Sequence, residues 1–497
     1  MGPFLSIILP ALNILAIIAA VLAVPVAIVL AVIVLIVIIR TLAFKPKEQK
    51  LPEIESEEFD KDGVIEALQK LIRCKTVSYY DRSLEDDAEF EKLIALLPSL
   101  YPEVLRVCEF KQLPDRALLF RWEGKAHDEP SVMMAHYDVV PVEADKWQKP
   151  PFEAIIEDGV LWGRGSLDTK VTFNAVLQAA NKLISTGFVP DQDMYFAFSG
   201  GEETNGEGAQ NIVKYFVENG IKPALVVDEG GAVVENVFPG VKSPCGLIGI
   251  AEKGMMNLKF SIQSNGGHAS APKPHTPIGV LAKACCKVES KPFPMHVTPP
   301  VAQLFDNLGR HSTFLYRMIF ANMWLFKGVL NIFCTKSGGE INALVRTTVA
   351  FTQASGSAAP NVIPPSSSLV ANLRLNPYDS VESAKERIKK IVKNDDVTLT
   401  VEGGMEPSPI SRTDCKEYDK VATAVANTWK GCIVSPYLMV QCSDSRHYGD
   451  ICDRVYRFSA MDLTAEERST IHGHNERIRL EVACRAVDFY IRLMKQC

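Results

Sequence analysis

The sequence predicts an α/β fold with a mixed or parallel sheet, preceded by a membrane-spanning helix, and three observations lead to this fold class. Between Ala117 and Gly240, short apolar runs typical of strands alternate with longer runs that have helical spacing. Around Ala251 the pattern changes, and Met256–Ile262 alternates apolar with polar residues as a half-buried strand does. The amino-terminal stretch Phe4–Ile39 contains no charged residue.

The apolar amino-terminal stretch exceeds the ~20 residues that a membrane-spanning helix requires. We therefore expect a single transmembrane anchor over residues 1–44, followed by a linker over 45–62 that is rich in Pro and Glu. Two alternatives stay open, a helical hairpin broken near Pro25 and a cleaved signal peptide. A signal peptide is disfavoured because a basic start and a short apolar core are both missing.

Charge and cysteine usage bound the environment of the chain. Arg40, Lys45, Lys47 and Lys50 follow the uncharged stretch Phe4–Ile39, which by the positive-inside rule favours a cytoplasmic catalytic domain, whereas proteins of the family that the chain resembles are often secreted or lumenal, so the side of the membrane stays open. The 12 cysteines are scattered without paired zinc-finger spacing, and we interpret most of them as small buried apolar side chains. The formal net charge of -6 and the lack of a basic stripe argue against nucleic acid as a partner.

The stretch Ser131–Lys170 carries the first candidate site residues. Its apolar start predicts a buried strand that ends at His136 and Asp138, where open α/β sheets place their chemistry. Because residues two apart share a face of a strand, the Asp138 carboxylate can orient one nitrogen of His136 and leave the other for a metal. A glycine-containing turn then presents Asp168 at the start of a helix.

Three further stretches end in residues of the same chemical kind. These are Gly200–Glu203 after the apolar strand Met194–Ser199, Asp228–Glu229 after Ala224–Val227, and Ile471–Glu476 near the carboxyl terminus. The last stretch offers two imidazoles, His472 and His474. Carboxylates and imidazoles gathered at strand ends suit zinc, and a carboxylate that bridges two cations would complete a dinuclear centre.

Ordered motifs in these stretches resemble those of the M20 metallopeptidases, a family of carboxypeptidases, aminoacylases and di-zinc dipeptidases. The similarity begins near Val64 and extends to the end of the chain. It is carried by AHYDVVPV, W-x-x-x-P-F-E-A with DGxLWGRGSLDTK, FSGGEETNGEGA, VVDEGG, NGGHASAP, NVIP and HGHNE. Within the family, the carboxypeptidase S and N-fatty-acyl-amino-acid hydrolase branch is most similar, because of the membrane-proximal start and the long lid.

The resemblance implies a two-domain M20-type fold. The catalytic metal-binding domain would comprise residues 63–249 and 401–497, and an inserted α+β lid or dimerisation domain would comprise residues 250–400. The lid of the family is built on an antiparallel sheet with two helices and often forms a homodimer. A homodimer through the lid is therefore an expected partner, together with the membrane.

The resemblance also implies two Zn²⁺ per chain and a ligand set. Asp168 would bridge the two ions. His136 and Asp228 would complete one site, and Glu203 and His472 would complete the other. The family pattern H-G-x-N-E selects the first of the two neighbouring histidines.

Catalytic and substrate-binding roles follow from the same resemblance. Glu202 would be the general base beside the ligands, and Asp138, which holds one ring nitrogen of His136, would be a further catalytic residue. His268 in the lid would reach a partner subunit's site and stabilise the oxyanion. Asn361 and Arg374 would hold the substrate carboxylate, for which a guanidinium is well suited.

The expected function is that of a di-zinc hydrolase that cleaves an amide bond next to a free α-carboxylate. The substrate would be a short peptide, as for a carboxypeptidase, or an N-acyl amino acid, as for an aminoacylase. Alternatives are an N-fatty-acyl amino acid synthase/hydrolase with reversible condensation, and a binding protein that has kept the fold without turnover. The apolar segment Val301–Cys334 would form lid core or a dimer contact, an acyl groove, or a surface that dips into the bilayer.

Overall fold

The computed structural model describes residues 2–47 and 49–497, with side chains from residue 23 onward. The helices of this part of the chain are α1 (Gly2–Ala43), α2 (Lys61–Ile72), α3 (Asp87–Leu100), α4 (Pro102–Val107), α5 (Lys170–Ser185), α6 (Gly208–Glu218), α7 (Pro277–Glu289), α8 (Pro299–His311), α9 (Phe314–Ala321), α10 (Met323–Ser337), α11 (Gly339–Val345), α12 (Val381–Val392), α13 (Lys416–Thr428), α14 (Ala465–Arg468) and α15 (Leu480–Met494).

The strands of the described residues are distributed over four sheets. They are β1 (Glu109–Leu113), β2 (Ala117–Trp122), β3 (Ala126–His136), β4 (Ile155–Glu157), β5 (Val160–Trp162), β6 (Gln192–Ser199), β7 (Leu225–Val234), β8 (Cys245–Glu252), β9 (Gly254–Gln263), β10 (Gly267–His268), β11 (Thr348–Ser355), β12 (Val362–Ile363), β13 (Ser366–Leu375), β14 (Thr398–Met405), β15 (Ile433–Met439), β16 (Val455–Leu463) and β17 (Arg477–Arg479).

The largest sheet has eight strands in the order β1-β2-β6-β3-β7-β16-β8-β15. Strand β3 pairs in parallel with β6 on one side and β7 on the other, and β7 pairs in parallel with β16. Strands β1 and β2 are antiparallel at one edge, so the sheet is mixed. The predicted α/β class with a mixed sheet is therefore confirmed. The parallel strands end on the same edge, where their carboxyl ends bring distant polar residues together.

A second sheet has four antiparallel strands in the order β11-β13-β9-β14. Strand β9 alternates buried and half-buried residues along its length, as the sequence pattern of Met256–Ile262 predicts. Its buried residues pack with α7 and α12 in a core of their own that includes Phe260, Leu281 and Ile388. This sheet and its two helices lie between residues 254 and 405, so strand β14 continues past residue 400, where the resemblance ends the lid.

The chain separates into two compact units. The first contains α1 together with Phe238–Val241 and Phe305–Ile332, and the second contains the four sheets. Helix α1 is continuous from Gly2 to Ala43, so a hairpin broken near Pro25 does not form. Within α1, Ala23–Ala43 is long and apolar enough to cross a membrane by length and composition. A signal sequence would pass the same test.

Candidate active site

His136 is fixed at the carboxyl end of β3, in the middle of the eight-stranded sheet. Its side chain is 1% exposed. Ring nitrogen Nδ1 lies 3.1 Å from the backbone oxygen of Asp138 and 3.3 Å from the Asp138 carboxylate. Nitrogen Nε2 points instead toward carboxylates from other segments of the chain. Nδ1 is thus held by Asp138, just after the strand, while Nε2 is available as a metal ligand.

Asp138 connects two of the motifs through a fully buried carboxylate. It accepts hydrogen bonds from the Ser78 hydroxyl at 2.6 Å and from the backbone N–H groups of Glu202 and Glu203, both at 3.2 Å. Asp138 therefore fixes His136 and the turn after β6 at once. Its role in the structure is to position other groups, since its oxygens are already occupied.

Asp168 lies between the two histidines of the site. Its Oδ1 is 3.0 Å from Nε2 of His136, and its Oδ2 is 3.0 Å from Nε2 of His472. The same nitrogen of His472 lies 3.0 Å from the Glu203 carboxylate. Each oxygen of Asp168 thus faces a different imidazole, which is the arrangement that a carboxylate bridging two cations requires.

A buried ion pair joins the loops that carry Asp168 and His472. Glu476 accepts hydrogen bonds from the backbone N–H groups of Leu167 at 2.7 Å and Asp168 at 3.2 Å. Its other oxygen lies 2.6 Å from Arg164, and neither side chain is more than 2% exposed. Sequence reasoning missed this pair, although both residues stand inside the motifs. The sequence signal for this pair was one charged residue near the proposed ligand in each motif, Arg164 before Asp168 and Glu476 after His472.

Asp228 and Glu229 are separated by the geometry of β7, because successive side chains of a strand point to opposite faces. The carboxylate of Glu229 lies 3.3 Å from Nε2 of His136. That of Asp228 accepts a hydrogen bond from the backbone N–H of Ser445 at 2.9 Å instead. The resemblance implies Asp228 as the ligand, and the structure shows the Glu229 carboxylate beside Nε2 of His136.

Behind Asp228 lies a buried cluster of charged residues. Glu252 receives hydrogen bonds from Arg457 at 2.5 Å and Arg446 at 2.7 Å, and also from the backbone N–H of Ser443 at 3.0 Å. Glu252 and Arg457 are almost fully buried. With its charge paired in this way, Glu252 holds the 443–445 turn against β7.

The site concentrates negative charge in a buried place. Burial, followed by the nearby charge of Asp168, raises the pKa of Glu203 to about 7. Burial likewise raises the pKa of Glu229 to about 8, and it raises the pKa of Glu202 well above its usual range. Hydrogen bonds to Asp168 and Glu203 raise the pKa of His472 to about 10. Bound cations would offset this accumulation of carboxylates, so the donors fit a metal site.

Two overlapping groups of ligand atoms meet the distance requirement for a metal ion. They are His136 with Asp168 and Glu203, and His136 with Glu202 and Glu229, the atoms of each group lying within 4.8 Å of one another. Next to them is a cavity of about 590 Å³. Its lining includes the site carboxylates together with Leu247, Tyr437, Met439, Cys442, Met461, Arg468 and Ile471.

The predicted substrate-binding residues fall into two groups. Arg374 is half-buried and lies 3.3 Å from the sulfur of Cys442, which lines the cavity. His268 and Asn361 are exposed at the two-stranded sheet of β10 and β12, where the backbone oxygen of Asn361 accepts from the backbone N–H of Ala269 at 2.9 Å. They are not among the residues that line the cavity.

Most of the predicted site residues are brought together in one place. The group comprises His136, Asp138, Asp168, Glu202, Glu203 and His472. His474 is exposed and belongs to neither ligand group. No described residue of the segment Val301–Cys334 lines the catalytic cavity, so the acyl-groove interpretation of this segment gains no support there.

Comparison with known proteins gives consistent matches. Residues 132–496 match the family model described as peptidase family M20/M25/M40. The chain is 33% identical over 473 residues to the probable carboxypeptidase S-like 2 of Dictyostelium discoideum, covering 92% of this chain and 91% of that protein. It is 34% identical over 446 residues to the N-fatty-acyl-amino acid synthase/hydrolase PM20D1 of Xenopus tropicalis, covering 88% and 86%.

Solved structures share the fold at lower sequence identity. Human carnosine dipeptidase 1 superposes with a TM-score of 0.62 at 13% identity, covering 88% of this chain and 96% of that chain. An M20 family metallo-carboxypeptidase from Sulfolobus solfataricus gives a TM-score of 0.61 at 18% identity, covering 88% and 99%. At these identities the likeness supports the fold alone.

Proposed function

The chain belongs to peptidase family M20/M25/M40, the metal-dependent hydrolases that its motifs indicate, and from this premise we propose a di-zinc hydrolase that cleaves an amide bond beside a free α-carboxylate. The observation that carries the proposal is the position of Asp168, with one oxygen 3.0 Å from each of two imidazoles, His136 and His472. A mixed set of imidazoles and carboxylates suits Zn²⁺ better than Mg²⁺.

The proposed ligands are His136, Asp168, Glu203, His472 and one carboxylate from the Asp228-Glu229 pair. Asp228 is the ligand that the resemblance implies. We propose Glu229 for this chain, because its carboxylate faces His136 whereas that of Asp228 is engaged by Ser445. When bound, the cations would polarise the scissile carbonyl and lower the pKa of a water molecule.

Glu202 is the proposed general base. Its side chain lies with His136 and Glu229, and its backbone N–H is held by Asp138 at 3.2 Å. From this position it would accept a proton from the attacking water and return it to the leaving amine. Burial raises the pKa of Glu202, as suits a carboxylate that takes up a proton during the reaction.

Substrate recognition is assigned to Arg374 from within the chain and to His268 and Asn361 from a second copy. Arg374 borders the cavity through Cys442 and would pair with the substrate carboxylate. His268 and Asn361 are exposed side by side, as residues that act in a partner's site would be. A homodimer through the segment 250–400 would let His268 stabilise the oxyanion.

Two substrate classes fit this site, short peptides and N-acyl amino acids. The relatives carry names of both kinds, carboxypeptidase S-like and N-fatty-acyl-amino acid synthase/hydrolase. The second name also supports reversible condensation as an alternative direction. We propose hydrolysis of N-acyl amino acids, because the apolar cavity residues Leu247, Met439 and Met461 adjoin the carboxylates and can take a hydrocarbon chain. Helix α1 would anchor the enzyme in a membrane.

The test is a substrate panel on the full-length protein, with matched pairs that share one amino acid. N-Acetyl, N-octanoyl and N-oleoyl derivatives are compared with dipeptides of the same carboxyl-terminal residue. Since a buried methylene contributes about 0.8 kcal/mol, kcat/KM should rise with chain length until the cavity is filled. A flat or falling dependence with efficient dipeptide cleavage would assign the enzyme to the peptidases.

A further inference from the structure

The bent pair formed by α9 and α10 exposes a large apolar surface. The two helices meet at 112°. Residues between 43% and 63% exposed form this surface, which we call the apolar face: Phe314, Leu315, Trp324, Leu325, Val329 and Ile332. On α10, Leu325, Val329 and Ile332 follow helical spacing on one side. Leu330 and Cys334 are buried on the opposite side.

Such a surface is unusual for a protein that lies wholly in water, where contiguous apolar patches are small. Helix α10 already has a buried side, so the exposed side is not needed to pack the chain. The apolar face therefore indicates a further contact partner.

Within the same compact unit, the pair is fastened to the carboxyl-terminal end of α1. Arg40 donates two hydrogen bonds to the backbone oxygen of Ala321, at 3.1 and 3.2 Å. The amide of Asn322, which is buried, donates to the backbone oxygen of Val37 and contacts the Thr41 hydroxyl, both at 3.3 Å. These contacts set the junction of α9 and α10 beside the last two turns of α1.

Polar contacts continue just beyond the end of α1. Lys47 lies 3.1 Å from Asp306, and Arg310 donates to the backbone oxygen of Lys45 at 3.0 Å. The guanidinium of Arg310 also covers the ring of Phe44 at 4.2 Å. Basic and aromatic residues of this kind collect at the boundary between a bilayer and water. The end of α1 therefore has the residue types of such a boundary.

We infer that α9 and α10 lie in the interfacial layer of the bilayer that α1 crosses, with the apolar face in contact with lipid acyl chains. This inference rests on the proposed membrane anchor. Helix α9 has 8 residues and α10 has 15, so neither reaches the ~20 residues of a span, and their bend prevents one straight span. Both helices thus lie along the membrane surface rather than across it.

Trp324 makes the inference measurable, because tryptophan fluorescence is quenched by bromine on neighbouring lipid chains. The full-length protein is reconstituted in phosphatidylcholine vesicles, with or without lipid brominated at shallow or deep positions of the acyl chain. We expect shallow bromine to quench a component of the emission that the Trp324→Phe variant lacks. Trp162→Phe, which alters a tryptophan beside Arg477 in the other unit, should keep that component.

A second pair of variants tests the apolar face without removing the reporter. Val329 is 59% exposed on α10, and Val217 is 60% exposed on α6, so the two valines are matched in size and exposure. Val329→Glu should reduce quenching of Trp324 at least twofold, while Val217→Glu should leave it unchanged. Neither residue belongs to the catalytic site, so both variants should keep hydrolysis.

The outcomes separate this inference from the proposals beneath it. If the chain stays in vesicles after an alkaline carbonate wash but bromine does not quench Trp324, the interfacial placement is overturned and the anchor stands. Stronger quenching by deep than by shallow bromine would also overturn it, as would crosslinking of α10 to a second copy without quenching. Release by the wash would refute both the anchor and the inference, whatever the hydrolytic activity.

Discussion

The metal-ligand cluster and the two-stranded sheet of β10 and β12 differ in how many partners their side chains find within one chain. In the cluster, His136 is 1% exposed and every ring nitrogen that it offers has a partner from the chain. In the two-stranded sheet, His268 is exposed, and its Nδ1 lies 2.7 Å from the hydroxyl of Ser270 and accepts from the backbone N–H of the same residue at 3.1 Å. One region is preorganised by buried hydrogen bonds, and the other presents side chains outward.

This difference indicates a division of work. In the proposed mechanism, binding of cations and activation of water would depend on residues whose positions are fixed by Asp138 and Glu476 in the same chain. Stabilisation of the substrate would depend on residues that act in the site of a second copy. Substitutions in the cluster should therefore alter metal content or chemistry within each chain. Substitutions in the two-stranded sheet should instead alter activity in the site of the partner chain.

The largest expected effect separates two adjacent carboxylates of the cluster. Glu202→Gln should lower kcat by at least ~10²-fold and keep metal content unchanged, because Gln cannot accept the proton from water. Glu203→Gln, its matched control, should lose metal from one site, since Glu203 faces His472. Metal analysis alongside kinetics makes the measurement. Metal lost from Glu202→Gln with full occupancy in Glu203→Gln would mean that the two roles are exchanged.

The next effect concerns which residue of β7 binds metal. Glu229→Gln should weaken binding of one cation, because its carboxylate lies 3.3 Å from His136. Asp228→Asn should weaken it less, roughly 10- to 100-fold at most, through loss of its bond to the 443–445 turn. Competition with a chelator gives both affinities. If Asp228→Asn alone loses the ion, the side chains exchange places when metal binds and the resemblance is right.

A smaller but diagnostic effect is expected at the two-stranded sheet of β10 and β12. His268→Ala should lower kcat by about 10²-fold through loss of an oxyanion donor, with metal content and Tm unchanged because His268 is exposed. Co-expression with the Glu202→Gln chain should restore part of the activity, since a mixed dimer contains one complete site. Absence of recovery in verified mixed dimers would place His268 in the site of its own chain.

The smallest expected effect is a pH trend in the metal-free protein. Glu203 and Glu229 have pKa values raised to about 7 and about 8 when folded, against 4.5 for the usual group. Between the unfolded and the folded pKa, the folded protein keeps protons that the unfolded chain has released. The free energy of unfolding therefore falls as pH rises from about 5 to 8. His472, whose pKa is raised to about 10, adds a loss in the same direction above pH 6.5.

Scanning fluorimetry of chelator-treated protein should therefore show Tm decreasing over this pH range. Added Zn²⁺ should reverse the decrease and stabilise most at the alkaline end, because ligands must be deprotonated to bind. The variant His268→Ala should show the same dependence of Tm on pH. A Tm that rises with pH in the metal-free protein would contradict the charge distribution described for the cluster.

Sequence reasoning succeeded where chemistry is tied to strand ends. The apolar runs before His136 and Glu202 predicted β3 and β6, and parallel pairing then required their ends to meet. The choice between Asp228 and Glu229 could not be made in the same way, because a shift of one residue changes the face of a strand. The family motif contains both residues, and the structure adds their side-chain contacts, of Glu229 with His136 and of Asp228 with Ser445.

Other features were beyond the sequence because they depend on contacts between distant segments. The Arg164-Glu476 pair and the Glu252 cluster join residues that are far apart along the chain, and no local pattern reports such a pairing. The sequence left three interpretations of the segment Val301–Cys334 open: lid core or a dimer contact, an acyl groove, and a surface that dips into the bilayer. In the structure, its residues 305–332 belong to a compact unit with α1, a pairing that hydrophobicity alone does not specify.

The most direct test of the two-metal centre is a titration of chelator-treated full-length protein with Zn²⁺, following hydrolysis of an N-acyl amino acid. The bridging position of Asp168 between His136 and His472 predicts that activity rises until two equivalents per chain are bound. Elemental analysis of the protein at the plateau should give the same number. Full activity at one equivalent, or activity that persists without metal, would contradict the account.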